Sequence, residues 1–323
     1  MKKRIISLLA LVLVCVMALA SCGGGGDVKL TMGTGGSTGT YYAVGGALSK
    51  NIQTNTGLSC VHVSTAGSAA NILGIAQGDY NLGFVQSDVM AYAWAGEKTF
   101  ATDGAVKDFR VLGGLYAEAV QLVTTDPSIK SPADLRGKTV SIGAINSGVF
   151  FNAVDVLEAV GIDYENPDHI NVKYQDFAAS ADSLKDRQID AAFIVAGAPT
   201  GAITDLMLGN ANARLVPIDG DIAEAIKTKC PYYTNYTIPA GTYANQTEDV
   251  NTITVKATLI VSADLDEDTV YNITKAIFDH IDDINHAKKA EFSLENATSG
   301  MTAPFHKGAA RYFSEKGINV TAE

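Results

Sequence analysis

Five hydroxyl-bearing residues stand where the chain passes from a strand-like run into a helix-like one: Ser37, Thr38, Ser68, Ser87 and Ser147. A helix N-terminus presents unbonded N–H groups and the positive end of its dipole, so residues there suit an anion. The competing role for each hydroxyl is to cap its own helix. Their neighbours belong to the same candidate ligand-binding set: Gly36 before Ser37, Gln86 and Asp88 around Ser87, Gly148 and Val149 after Ser147. Tyr41, Tyr42, Tyr116 and Phe150 are candidate cleft walls, with core packing the rival for each, since aromatic side chains near helix starts are commonly buried. Tyr41 and Tyr42 point to different faces of one helix, so one of the two is expected at the cleft. Glu118 precedes an apolar strand run, where it could pair with an ammonium group; its alternatives are a solvent-facing carboxylate or an ion pair between lobes.

The residues do not assemble a catalytic signature. None of the five histidines, His62, His169, His280, His286 and His306, forms H-E-x-x-H or sits beside a cysteine pair. His62 reads as a surface strand residue. A G-x-S-x-G elbow is missing, and Gly33–Gly39 lacks the lysine of a phosphate-binding loop. The residues offer ligand binding, and no cofactor or metal is expected.

The elements that must position these residues repeat one plan. Val28–Met32 reads as a strand, Gly33–Gly39 as a small-residue loop, and Tyr41, Val44, Leu48 and Ile52 as one helical face. A strand at Val61–Ser64 follows, then a helix that Ser68 can cap and Gly78 ends, a strand at Asn81–Val85 and a helix from Gln86-Ser87-Asp88. The second half runs in the same order: strand Thr139–Ile142, loop Asn146–Gly148, a helix through Phe150, Val154 and Leu157, strand Asn171–Tyr174, helix Ser180–Arg187 and strand Ala191–Val195. Ala196–Pro199 then leads into another helix, Pro199 suiting a first turn. Alternating strands and helices predict an α/β fold with largely parallel sheets and a ligand beyond the carboxyl ends of the strands. Two lobes are expected, 27–123 with 256–323 and 124–255, joined by apolar crossover strands at Ala119–Thr124 and Val255–Val261. The cleft lies between them, and the helices near Asp268–Ile284 and Phe305–Lys316 pack on the first lobe.

The N-terminus reads as an address. Lys2, Lys3 and Arg4 precede the apolar run Ile5–Ala20, and small residues lead to Cys22 and four glycines. Cysteine at that place resembles the bacterial lipobox, which implies cleavage after residue 21, lipidation of Cys22, and a flexible 22–26 tether. The protein is then exported and held by lipid at the outer face of the cytoplasmic membrane, or is periplasmic. The run of about 16 residues is short for a span, which needs roughly 20. The whole chain of 323 residues carries a net charge of −11, and loss of the leader's three cations takes it to −14. Such a balance disfavours nucleic acid and anionic membrane surfaces. Cys60 and Cys230 remain, isolated from any C-x-x-C, and are expected as separate thiols.

Thr34–Tyr42 resembles the opening motif of the TAXI family, the solute receptors of one branch of TRAP transporters. Gln77–Asp79, Phe84–Asp88, Leu115–Glu118, Lys130–Lys138, Phe193–Thr200 and Ile238–Tyr243 extend the likeness in order along nearly the whole mature chain. The resemblance implies a type II periplasmic-binding-protein fold. It implies a monomeric receptor without enzyme activity, which closes on a small carboxylate and delivers it to an ion-gradient-driven permease. The ligand would be glutamate, glutamine or a related amino acid, and Gly197 joins the binding set through its motif. An alternative is a sensor that presents its closed form to a signalling partner, or a receptor of another transporter class. Where the family commonly has Ser-Gly-Thr, this chain has Ser147-Gly148-Val149, one hydroxyl fewer at that helix start. A lost hydrogen bond to a charged group costs about 1.5–3 kcal/mol, which leaves the exact substrate open.

Overall fold

The computed structural model describes residues 29–323. The leader 1–21, Cys22 and the 22–26 tether lie outside the described residues. Three strand–helix units open the fold: β1 (Lys29–Gly33) with α1 (Thr40–Thr56), β2 (Ser59–Val63) with α2 (Ser68–Ala76), and β3 (Leu82–Gln86) with α3 (Ser87–Ala95). The long β4 (Phe109–Thr124) leads into a second series: β5 (Thr139–Ser141), α4 (Gly148–Ala159), β6 (Asn171–Lys173), α5 (Phe177–Lys185), β7 (Ala191–Ala196) and α6 (Gly201–Gly209). Next come β8 (Arg214–Val216), α7 (Gly220–Lys229) and β9 (Thr234–Ile238), before the long β10 (Val250–Ser262) returns. The helices α8 (Glu267–Asp279), α9 (Leu294–Thr298) and α10 (Lys307–Glu315) complete the chain. Among the described residues, no helix is long and apolar enough to cross a membrane.

The strands form a single sheet in the order β2-β1-β3-β10-β4-β7-β5-β6, with β8 on β4 and β9 on β10. Its flanks are parallel, as the strand–helix alternation predicts. Its middle is not, because β4 and β10 pass between the halves in opposite directions and pair antiparallel with all their neighbours. Both long strands change partners near one level. Ala119 faces Thr254 on one side and begins the pairing with β7 at Ala196, while Thr254 ends the pairing with β9 at Thr234. Two halves of the sheet are thereby joined through a two-stranded ribbon. The C-terminal helices pack on the first half: Phe305 bridges to Val111, and Asn51 Nδ2 donates to the His280 carbonyl at 3.0 Å.

Two local expectations change. Helix α5 begins at Phe177, not Ser180, because Asp176 supplies the cap by accepting from the Ala179 amide at 2.8 Å. Pro199 follows a cis peptide and lies ahead of α6, which begins at Gly201. Cys60 and Cys230 are separate, buried thiols. His62 is only partly exposed, with its ring 4.7 Å from that of Tyr42.

Phe84 on β3 is fully buried, with its ring 4.8 Å from that of Tyr41. Phe84→Ala is expected to cost about 3–5 kcal/mol from lost burial and the cavity it leaves. Calorimetry should show the melting temperature lower by roughly 6–12 °C.

A closed cavity between the two halves

The ends of β1 and β3 are tied by one buried side chain. Asn71 Nδ2 donates to the carbonyls of Thr34 (2.7 Å) and Phe84 (2.8 Å), and Thr65 Oγ1 donates to Asn71 Oδ1 at 2.7 Å. Thr34 Oγ1 in turn donates to the Val63 carbonyl at 2.6 Å. These bonds hold the loops after β1 and β2 side by side at the sheet's carboxyl end. Opposite them, Ser147 caps α4 by accepting from the Phe150 amide at 3.3 Å. The Gly148 and Val149 amides precede the helix's first internal bond, so they remain available.

Between these loops is a small cavity of about 60 Å³. The first half contributes Gly35, Gly36, Gly39, Thr40, Tyr41, Thr65–Ser68, Gln86 and Glu118; the second contributes Ala144, Ser147–Val149, Gln175–Phe177, Val195 and Ala196. The halves touch on both sides of it. Thr40 Oγ1 donates to the Gly197 carbonyl at 2.9 Å, and the Ala70 amide donates to the Asn146 carbonyl at 3.2 Å. The cleft is therefore closed.

Of the candidate residues, Gly36, Tyr41, Ser68, Gln86, Glu118, Ser147, Gly148 and Val149 line this cavity. The others lie elsewhere. Ser37 is exposed and Thr38 half-buried, both ahead of Gly39, the residue at the cap of α1. Ser87 turns away: its Oγ accepts from the Lys256 amide at 3.1 Å, and it borders a groove on the far side of the ribbon. Asp88 and Tyr116 are fully buried. Gly197 packs between Thr40, Tyr116 and Lys288. Phe150 faces outward in an aromatic group with Tyr164 and Tyr174. Ser68 does not cap α2, since Gly67 holds that place; its Oγ accepts from the Gln86 amide at 3.1 Å and so joins two loops of the first half.

Glu118 is 2 % exposed, which removes the solvent-facing alternative. It accepts from Tyr41 Oη at 2.5 Å. Burial pushes its carboxyl up from 4.5 to about 8; the Tyr41 hydrogen bond opposes this, the nearby Asp88 adds to it, and Lys288 opposes it. The same burial, with Glu118 beside it, holds the Tyr41 phenol well above its ordinary value. The residues lining the cavity include two carboxylates, Glu118 and Asp176, and no lysine, arginine or histidine. Two further buried acceptors lack a partner, Gln86 Oε1 and Gln175 Oε1. The cavity thus offers a carboxylate and amide oxygens to a donor-rich group, and helix-start N–H groups to an anion.

The loop Gln175–Phe177 is the clearest residue group that sequence reasoning missed. The available signal was its position after β6, equivalent to the loops already chosen, together with Asp176 three residues before Ala179 as a cap. Asn71 was hidden among the apolar residues of its helix.

Residues 32–317 match the model of the NMT1-like family. The chain belongs to the NMT1-like family. Among solved structures, this NMT1-like protein is similar to one from Bordetella bronchiseptica RB50, at 16% identity, with 89% of each chain covered and a TM-score of 0.53. It is also similar to PhnD1 from Prochlorococcus marinus (MIT 9301) in complex with methylphosphonate, at 12% identity over 90% of this chain and 97% of that one, with a TM-score of 0.52. The shared fold is that of the type II periplasmic binding proteins.

Proposed function

We propose that this chain is an extracytoplasmic solute receptor that closes on a small carboxylate bearing an ammonium group, an amino acid such as glutamate or glutamine, and delivers it to a membrane permease. The observation that carries this reading is the closed cavity whose lining includes buried Glu118 and the free amides of Gly148 and Val149 but no cationic side chain. An ammonium would neutralise Glu118, and a carboxylate would take the helix-start amides. Binding without turnover agrees with the fold, in which PhnD1 holds the small anion methylphosphonate. The resemblance at Thr34–Tyr42 and Phe84–Asp88 supports a TAXI-type receptor partnered with an ion-gradient-driven TRAP permease, anchored by lipid at Cys22. The moving parts are the lobes 27–123 with 256–323 and 124–255, hinged on the β4–β10 ribbon.

A melting screen of amino acids, of dicarboxylates lacking the amine and of amines lacking the carboxylate tests the reading. An amino acid at 100 times its dissociation constant is expected to add about 2.7 kcal/mol of stability, and the single-group analogues far less. If all three classes leave the melting temperature unmoved, the receptor reading fails.

A further inference from the structure

A second polar cluster bridges the halves outside the cavity. From the first half come Asp88 and Tyr92 of α3 and Lys98; from the second come Asn152 and Asp155 of α4, Cys230 and Tyr233. Asn152 Nδ2 donates to Asp88 Oδ2 at 2.9 Å and to Tyr233 Oη at 2.7 Å. Tyr233 Oη donates to Asp155 Oδ2 at 2.9 Å, and Lys98 Nζ binds Asp155 Oδ1 at 2.8 Å. Tyr92 Oη and Cys230 Sγ are 2.8 Å apart.

Asp88 and Asn152 are both fully buried, and each keeps one oxygen without a donor, Asp88 Oδ1 and Asn152 Oδ1. An ionised carboxylate buried with one oxygen unpartnered is costly. A proton on Asp88 Oδ1 discharges the buried carboxylate and turns its unpartnered acceptor into a donor. We propose that Asp88 carries the proton that fastens the two halves together, so that closing the cleft takes up one proton at the Asp88–Asn152 pair.

The surroundings agree. Burial pushes the Asp88 carboxyl up from 3.8 to about 7, and Asp155 pushes it further, while the first amides of α3 and Asn152 work against this. The other titratable groups that face it are Glu118 from β4, Tyr92 from its own helix, and Tyr232, Tyr233 and Cys230 from the segment before β9. The cation of the cluster, Lys98, is already paired with Asp155. In an open cleft the carboxyl meets water and ionises at its ordinary value, so closing between that value and about 7 binds a proton.

The inference rests on the halves moving, but not on the identity of any ligand. The test is single-molecule fluorescence transfer on the full-length protein in lipid nanodiscs, ligand-free, with one dye on each half. Glu118 adds its own pH dependence, so E118Q is compared with E118Q/D88N. The closed-to-open ratio of E118Q should fall about tenfold from pH 6 to pH 8, and that of the double variant should stay flat. A second comparison uses E118Q/N152A, which should lower the ratio at pH 6 toward its pH 8 value. A fall that survives D88N, a flat profile in E118Q, or one unchanging transfer state at every pH overturns the proposal. Loss of amino-acid binding in the melting screen would sink the receptor reading and leave this result untouched.

Discussion

Gly148→Ala is expected to weaken ligand binding about ten- to a hundredfold while leaving the protein folded. Gly148 opens α4 in the second half, and a Cβ there would be driven into Gln86 Oε1 and to 2.9 Å from Ser68 Oγ in the first. Ser68 cannot yield, because its hydroxyl is fixed on the Gln86 amide. Gln86 is 2 % exposed and lines the cavity, so displacing its amide disturbs the cavity wall. Overpacking of this kind costs about 1–3 kcal/mol. The cost falls on the closed state alone, since an open cleft separates the two surfaces. Alanine is otherwise a better helix residue than glycine by up to about 1 kcal/mol, so the ligand-free melting temperature should hold or rise. Calorimetric titration of the full chain gives the affinity. An unchanged dissociation constant would mean that the surfaces do not meet in the bound state.

Glu118→Gln should do two things that no general loss of structure would do together. Burial of the ionised carboxylate opposes closure of the empty cleft. The opposition is absent below the carboxyl's ordinary value near 4.5, grows with pH, and is complete above about 8. At pH 7 it amounts to about 3 kcal/mol, roughly a hundredfold in the closed-to-open ratio. Glutamine removes that cost, so the empty variant should close spontaneously, as read by small-angle scattering or fluorescence transfer. Selectivity should collapse at the same time, because the ammonium has lost its counter-charge. An amino acid and its analogue lacking the amine, separated in the native protein by about 2 kcal/mol or more, should bind the variant almost alike. A variant that stays open when empty and still prefers the amine would refute the role assigned to Glu118.

Much of this architecture can be read along the chain. The alternation of strands and helices, the glycine-rich turns after β1 and the Ser147 cap are local features, written in neighbouring residues. The orientation of each hydroxyl is not local. Ser68 and Ser147 border the cavity and Ser87 does not, although all three are small polar residues at helix starts. What separates them is the rotation of each helix against the sheet, and for Ser87 it is set by the Lys256 amide on a strand formed far later in the chain. Phe150 illustrates the same limit, since a second aromatic group at Tyr164 and Tyr174 draws it outward. Glu118 was legible as an unusual charge, but its depth depends on β10 and Tyr41 closing over it.

The return of β10 also decides when the fold can exist. Strand β3 has β1 on one side, and on the other it waits for Ala257–Val261. Strand β9 has only Val250–Thr254 as its partner. Neither half can complete its sheet until the last quarter of the chain has been synthesised, and such distant pairings form slowly. A polypeptide emerging from the ribosome therefore stays without its finished sheet through most of its synthesis. For a receptor exported as proposed, that delay would keep the chain threadable until it has crossed the membrane.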